Sequence, residues 1–386
     1  MNFVAFSPQF PPNFIPFYSN LRRMGVNVLG LGDAHYETLP YDLKSALTEY
    51  YWVTNQHNYD ELVRALGYFT HRYGKIHRLE SHNEYWLESD ARLRTDFNIP
   101  GFKVSDLTRV KRKSEMKGMF KKAGIPAARG RICRDLSEAL ELADETGFPL
   151  VAKPDIGVGA NKTYKISDAA ALETFFNARQ PVDYIFEEFV AGRIQTYDGL
   201  VDQDGHIVFS SSLEYNEGVM DLVNEGLDFW YFTQRQIPAV LEQVGRKLVK
   251  AYNLHERFFH FEFFHTAQDE YVALEVNMRP PGGLTVDMWN YANDIDIFYE
   301  YANVVVNNRF SAVVTRPYFC AYVGRRYGKA YLLNNEQVKA AFPKQVVSHQ
   351  PISGIFAAAL GDFGFLIRSP DYSEIEAIAG QILKKN

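Results

Sequence analysis

At 386 residues the chain is long enough for two or three domains, and 46% hydrophobic content with 29 Phe and 24 Tyr supplies sizeable cores, which excludes a disordered protein. The net charge of -6, from 41 basic and 47 acidic residues spread along the sequence, excludes a general nucleic-acid or membrane-surface binder. Two distant cysteines, Cys133 and Cys320, exclude a disulfide framework or thiolate metal centre, and with no leader-like N-terminus and no apolar run of about 18 residues the expectation is a soluble cytoplasmic protein.

In chain order, Asn2 to Ser7 reads as a strand, Asn13 to Met24 as a helix stopped by Gly25, and Val26 to Leu31 as a second strand, a β-α-β start that predicts a parallel sheet. Gly30 and Gly32 follow the second strand rather than the first, and the full Gly-x-Gly-x-x-Gly pattern is absent, which speaks against a dinucleotide site. Tyr59 to Tyr73 is helical, and the short strand Ile76 to Glu80 ends in Glu80-Ser81-His82-Asn83-Glu84, where an open α/β sheet often lines a ligand crevice; a plain surface loop before the helix Trp86 to Phe97 fits equally.

Beyond Pro100-Gly101 the basic stretch Arg109 to Lys122 reads as one helix, closed by Ala123-Gly124-Ile125-Pro126. After a helix from Ser137 to Thr146, the strand Phe148 to Pro154 ends on Lys153, and a loop with Gly157 and Gly159 leads to Lys162-Thr163. Asn161 stands where a phosphate loop needs glycine, so that motif fails, although glycines still allow backbone amides close to phosphate. A helix at Ala169 to Asn177, a strand at Tyr184 to Glu187 and a hairpin of Ile194 to Asp202 with His206 to Ser212 follow. The insert Leu213 to Phe232 carries Glu214, Tyr215, Glu217 and Asp221, with Trp230-Tyr231-Phe232 reading as core. Pro238 to Tyr252 is an amphipathic helix, and Tyr318 to Val323 and Ser373 to Leu383 read as a late strand and a closing helix.

The most informative stretch is Phe258 to Gly283. Two apolar runs flank Thr266-Ala267-Gln268-Asp269 and predict a hairpin. Alternation puts Phe259, Phe261 and Phe263 on one face and His260, Glu262 and Phe264 on the other, with Tyr271, Ala273, Glu275 and Asn277 together on the second strand. If His265 pairs with Glu270, Glu262 stands opposite Ala273 and diagonal to Glu275, roughly 7 Å away. Glu262, Glu275 and Asn277 then form a hard oxygen set suited to Mg²⁺, with Arg279 and the loop Pro280-Pro281-Gly282-Gly283 beside it. A hairpin with a solvated outer face is the plainer alternative. His255, His260 and His265 read as packed or solvated rather than as ligands.

Taken together these pieces resemble the ATP-grasp superfamily of biotin carboxylase, carbamoyl phosphate synthetase, D-alanine ligase and the L-amino-acid ligases. Lys113 lies ten residues before Ala123-Gly124-Ile125-Pro126, Lys153 closes the strand FPLVAKP, and Gly157 to Asn161 stands for the glycine-rich flap. Ile185 to Val190 matches the linker that meets adenine, and Glu262, Glu275, Asn277 and Arg279 match the metal-binding end. The resemblance spans Ser105 to Arg309 and implies an α/β N-terminal domain (1–104), an α+β ATP-grasp fold of two β-rich subdomains (105–190 and 191–310) clasping nucleotide, and a small β-rich C-terminal region (311–386).

By that resemblance, ATP is bound by Lys113, Lys153, Gly157, Gly159, Glu187, Glu188 and Val190, with the Glu188 side chain alternatively facing ribose. Mg²⁺, as two ions that Mn²⁺ could replace, is bound by Glu262, Glu275 and Asn277. Arg279 and Glu275 carry catalysis, while Arg279, Gly282, Gly283 and Glu214 are the substrate candidates; the flap and the Leu213 to Phe232 insert are candidate lids. The implied activity is an ADP-forming carboxylate-amine ligase acting through an acyl phosphate on small-molecule carboxylate and amine substrates, with no nucleic-acid or membrane partner and a homodimer as the assembly frequent in the family. A biotin-carboxylase-like carboxylase and a non-catalytic nucleotide-binding module stay open. Biotin carboxylases follow the Asn-Arg step with Gln-Val-Glu-His, whereas Pro280-Pro281-Gly282-Gly283-Leu284-Thr285 stands here, closer to amide-forming ligases; Ile194 replaces a residue that is often polar in relatives.

Overall fold

The computed structural model describes residues 1–157, 162–216, 228–352 and 354–386. The opening strand Asn2–Phe6 is buried at every position, as a central parallel strand covered on both faces must be. It pairs in parallel with Asn27–Gly32 on one side and Arg78–Glu80 on the other, and Glu49–Trp52 adds outside Asn27–Gly32. Phe3 and Ala5 pack with Phe17, Tyr18 and Leu21 of helix Ile15–Arg23, while Val4 and Phe6 pack with Leu62, Leu66 and Phe69 of helix Tyr59–Tyr73. Chain order reverses beside Asn2–Phe6, so the carboxyl ends of that strand and of Arg78–Glu80 flank a crevice.

The basic stretch expected as one helix is two, Val104–Lys111 and Lys113–Ala123, broken at Arg112, whose backbone is extended. The cause lies in Asp155, just past strand Leu150–Pro154. Its fully buried carboxylate accepts the Ser114 N–H at 2.8 Å and the Arg112 guanidinium at 2.9 Å, and its carbonyl accepts the Lys113 N–H at 2.9 Å. A cap supplied from another strand thus starts the second helix on Lys113 and ties it to the strand that carries Lys153.

That strand belongs to a four-stranded antiparallel sheet ordered Gly130–Ile132, Tyr184–Glu188, Leu150–Pro154, Tyr164–Ile166. Helices Leu136–Thr146 and Ala169–Ala178 bury Leu142 and Leu172 against Leu150, Ala152 and Phe186. The third sheet has nine strands among the described residues. From one edge run Tyr271–Asn277, Arg257–His265, Arg193–Val201, Leu213–Tyr215, Phe229–Thr233, Phe319–Arg325, Phe363–Ser369 and Val346–Pro351, with Ile207–Ser211 also paired to Arg193–Val201. The late strands therefore extend the sheet that holds the hairpin. Trp230, Tyr231 and Phe232 are buried in it, as expected, while Glu217 and Asp221 lie outside the described residues. Phe17 packs on Phe258, Phe298 and Tyr301, joining the first sheet to the third.

The hairpin register differs from the expected one. His265 pairs with Tyr271, and Glu262 pairs directly with Glu275 rather than with Ala273. Between Phe263–Ala273 and Glu262–Glu275 the register shifts, leaving Leu274 as the extra residue of a bulge. Alternation changes phase there. Tyr271 and Ala273 sit with Phe259, Phe261 and Phe263 in the core, and past the bulge Val276 and Met278 take that role, so Glu275 and Asn277 face the other way with Glu262.

Candidate active site

On the polar face of the hairpin two rows of side chains lie side by side. His260 stands opposite Asn277 and Glu262 opposite Glu275; on the neighbouring strand Asp198 continues the first row and Thr196 the second. Burial opposes a charge on Glu262, but the His260 hydrogen bond at 3.0 Å and the charges of His260, Arg279 and Lys153 hold its carboxyl below the usual range. Burial likewise disfavours a charge on His260, yet Asp198 at 2.6 Å and Glu262 outweigh it and raise the imidazole to about 9. His260 is thus packed between two carboxylates.

The two expected lysines approach from the second sheet and its adjoining helix. Lys113 Nζ lies 3.6 Å from a Glu275 oxygen and donates to the Gly157 carbonyl at 3.0 Å. Lys153 Nζ lies 2.7 Å from Glu187, whose other oxygen is 2.5 Å from Lys117. Lys113 thus reaches Glu275, and Lys153 is close enough to act on Glu262. Burial lowers Lys117, with Glu187 opposing, and burial would raise Glu187 were it not for Lys153 and Lys117, which together hold it down. Lys117 is absent from the sequence-based set, although it is four residues from Lys113 on one helix and so shares its face.

Arg279 is placed by a buried neighbour. Arg257 donates to the Met278 carbonyl at 2.9 Å and to Glu80 at 2.7 Å, and Glu80 also meets Arg94 at 2.8 Å. This fixes the end of the hairpin against the crevice of the first sheet. Arg279 then lies 3.3 Å from the Asn277 side-chain oxygen and 3.7 Å from Glu84. His82, Asn83, Arg257, Met278, Arg279 and Tyr301 line one pocket, so the residues after strand Arg78–Glu80 do border a crevice. Gly283 adopts φ +64, and a Cβ there would lie 2.5 Å from Leu360 and 3.6 Å from the Tyr231 hydroxyl; its carbonyl accepts from Asn13 at 3.0 Å. Gly282 faces Phe356 across 3.7 Å by the same measure.

Two expected side chains, Glu214 and Glu188, are held by partners of their own. Glu214 pairs with Gln195, which shares the Phe263 face, so it points away from Glu262; it is taken up by Arg193, Gln195 and Gln234 at 3.2, 3.0 and 2.8 Å. The next residue, Tyr215, has the facing that alternation denies Glu214; it stacks on Tyr231, and its hydroxyl is raised first by burial and then by the Glu262 charge. The Glu188 carboxylate is held by Arg129 through two contacts of 2.7 Å, and its N–H donates to the Arg129 carbonyl. Val190 follows the strand half-buried, and Gly159 lies outside the described residues.

Three sheets, with Lys153 on one and Lys113 on the helix beside it approaching the paired carboxylates of another, give the chain a fold shared with solved ATP-dependent ligases and carboxylases. It is similar over 99% of its length to the L-amino acid ligase of Bacillus licheniformis, at TM-score 0.76 and 14% identity with 96% of that chain covered. It is also similar over 95% of its length to the biotin carboxylase domain of Hydrogenobacter thermophilus 2-oxoglutarate carboxylase, solved with MgADP, ADP and bicarbonate, at TM-score 0.70 and 13% identity with 86% of that chain covered. In sequence it is 20% identical over 251 residues to the L-arginine-specific L-amino acid ligase of Bacillus subtilis, 61% of this chain. It is 24% identical over 124 residues to the C-terminal section of the carbamoyl phosphate synthase large chain of Methanopyrus kandleri, 31% of this chain. The match spans 60% and 23% of those two relatives' lengths. No protein-family model matches the chain.

Proposed function

We propose that the chain is an ADP-forming, ATP-dependent carboxylate-amine ligase. One observation carries the reading: Glu262 and Glu275 stand directly opposite each other on one face, Asn277 beside them, with Lys113 at 3.6 Å from Glu275 and Arg279 at 3.3 Å from Asn277. Paired carboxylates this close repel. Cations offset the repulsion, and this set of two carboxylates and an amide oxygen fits hard divalent ions such as Mg²⁺ or Mn²⁺. Glu262, Glu275 and Asn277 would hold one or two such ions, which when bound neutralise the charge of nucleotide phosphates.

In this reading Lys113 and Lys153 hold phosphate oxygens, with Lys153 released from Glu187 as Lys117 keeps that carboxylate paired. An oxygen of the substrate carboxylate attacks the γ-phosphorus, the bond to the bridging oxygen breaks, and ADP leaves with that electron pair. The amine nitrogen then attacks the acyl carbon, the carbon–oxygen bond to phosphate breaks, and the nitrogen's proton departs with inorganic phosphate. In the same reading Arg279 and the Gly282-Gly283 backbone hold the carboxylate or its developing oxyanion. The segments 1–104, 105–190, 191–310 and 311–386 are proposed as working units, supported by separate sheets in the first three and by the last extending the third. A homodimer is proposed as the assembly.

The test is incubation with Mg-ATP and a pool of amino acids. ADP and phosphate appear together with a new amide detected by mass spectrometry; AMP and pyrophosphate, or ADP release that needs bicarbonate and no amine, would refute the ligase reading.

A further inference from the structure

We propose that Thr196, Asp198 and His260 form a positioning relay that fixes which oxygen of Glu262 is presented to the divalent cation. The inference rests on the reading of Glu262 as a cation ligand. The Thr196 hydroxyl accepts the Leu213 N–H at 3.0 Å, which leaves its own hydrogen to be donated to Asp198 Oδ2 at 2.6 Å. The second oxygen, Asp198 Oδ1, lies 2.6 Å from His260 Nδ1, and His260 Nε2 lies 3.0 Å from Glu262 Oε1. Each ring nitrogen of His260 meets a carboxylate oxygen, so a continuous chain of hydrogen-bonding contacts runs from a backbone amide to Glu262.

Thr196 and Asp198 are wholly buried and His260 is 5% exposed, whereas the Glu262 side chain is 22% exposed. The relay thus starts in the interior and ends on the open face. Its last member has competitors: the charges of Arg279 and Lys153 both reach Glu262 and would draw it aside. Engaging Oε1 with His260 resists that pull and leaves Oε2 as the oxygen not taken up by the relay. Groups that orient metal ligands in this way typically carry a ten- to hundredfold share of metal affinity, roughly.

The experiment measures Mn²⁺ binding to the ADP-loaded protein by electron paramagnetic resonance, with ADP affinity in EDTA and melting temperature as controls. Asp198→Asn, nearly isosteric, is expected to weaken Mn²⁺ binding by about tenfold or more while metal-free ADP affinity holds. Thr196→Val shifts it the same way by less, and the double variant goes no further than Asp198→Asn, since the two act through one chain. Mn²⁺ affinity within about twofold of wild type in both single variants, or an equal loss of metal-free ADP affinity, overturns the relay. If Asp198→Asn does not fold, Thr196→Val decides on the same criterion. A wild-type protein that takes up no Mn²⁺ with ADP overturns the carboxylate pair as a cation site, and the relay with it.

Discussion

His82 offers a worked case of how burial at the crevice controls stability. It sits at φ +55 with its ring packed among Phe14, Phe17, Tyr18 and Tyr301, and its Nε2 has no hydrogen-bond partner among the described residues. Burial is the main cause of its lowering to about 4; Glu80 opposes this, and Arg257 and Arg94 add to it. The folded imidazole thus refuses a proton that the unfolded one, near 6.5, accepts. Its contribution to stability is full above the unfolded value and falls as pH drops, by about 2 kcal/mol from pH 7 to pH 5. Asp90 and Asp287 act with opposite sign. Burial raises each to about 6, so the folded state takes up protons first and gains about 1 kcal/mol per group over the same span. These gains oppose the His82 loss in the wild-type pH slope, so only a difference measurement isolates His82. Urea unfolding of wild type and His82→Phe, followed by tryptophan fluorescence at both pH values, should show the variant gaining about 2 kcal/mol on wild type at the lower pH. A constant offset, or a gain by wild type, would refute the reasoning.

Glu275→Gln is expected to cut turnover by about a hundredfold or more while keeping most metal-free ADP binding; a variant with near-normal turnover contradicts the proposed site. Lys117→Met leaves Glu187 to Lys153 alone, so the KM for ATP should rise about tenfold, equivalent to about 1.4 kcal/mol, with kcat changing less; initial-rate kinetics decide it, and an unchanged KM counts against it. Asp155→Ala removes the cap on the Lys113 helix and should cost about 1–2 kcal/mol in urea unfolding, with an accompanying loss of ADP affinity because Lys113 starts that helix.

Much of this was legible in the sequence because the signals were local. The parallel opening, both ends of the hairpin, the helix Tyr59–Tyr73 and the lysine strand follow from periodicity and punctuation within a few residues. What escaped depends on partners far along the chain. The helix break at Arg112 is imposed by Asp155, 43 residues away, and nothing within Arg109 to Lys122 announces it. The bulge at Leu274 could not be read from alternation, since one extra residue reverses the facing of all that follows. The error was partly self-cancelling: the expected register brought Glu262 and Glu275 to one side for a wrong reason, and the true register brings them closer. The facing of Glu214 is set by its pairing with Gln195, a partner 19 residues away, and Tyr215 beside it is the one that feels the Glu262 charge.

The nine-stranded sheet has a practical consequence for anyone shortening the chain. Phe319–Arg325 lies against Phe229–Thr233, a strand of sequence FWYFT buried at all five positions. A protein ended after helix Ile297–Asn307 would leave that aromatic ribbon as a bare edge with unpaired amides and carbonyls, a template for joining to other copies. The last segment is therefore a seal on the sheet, and its removal should yield insoluble material rather than a smaller folded protein.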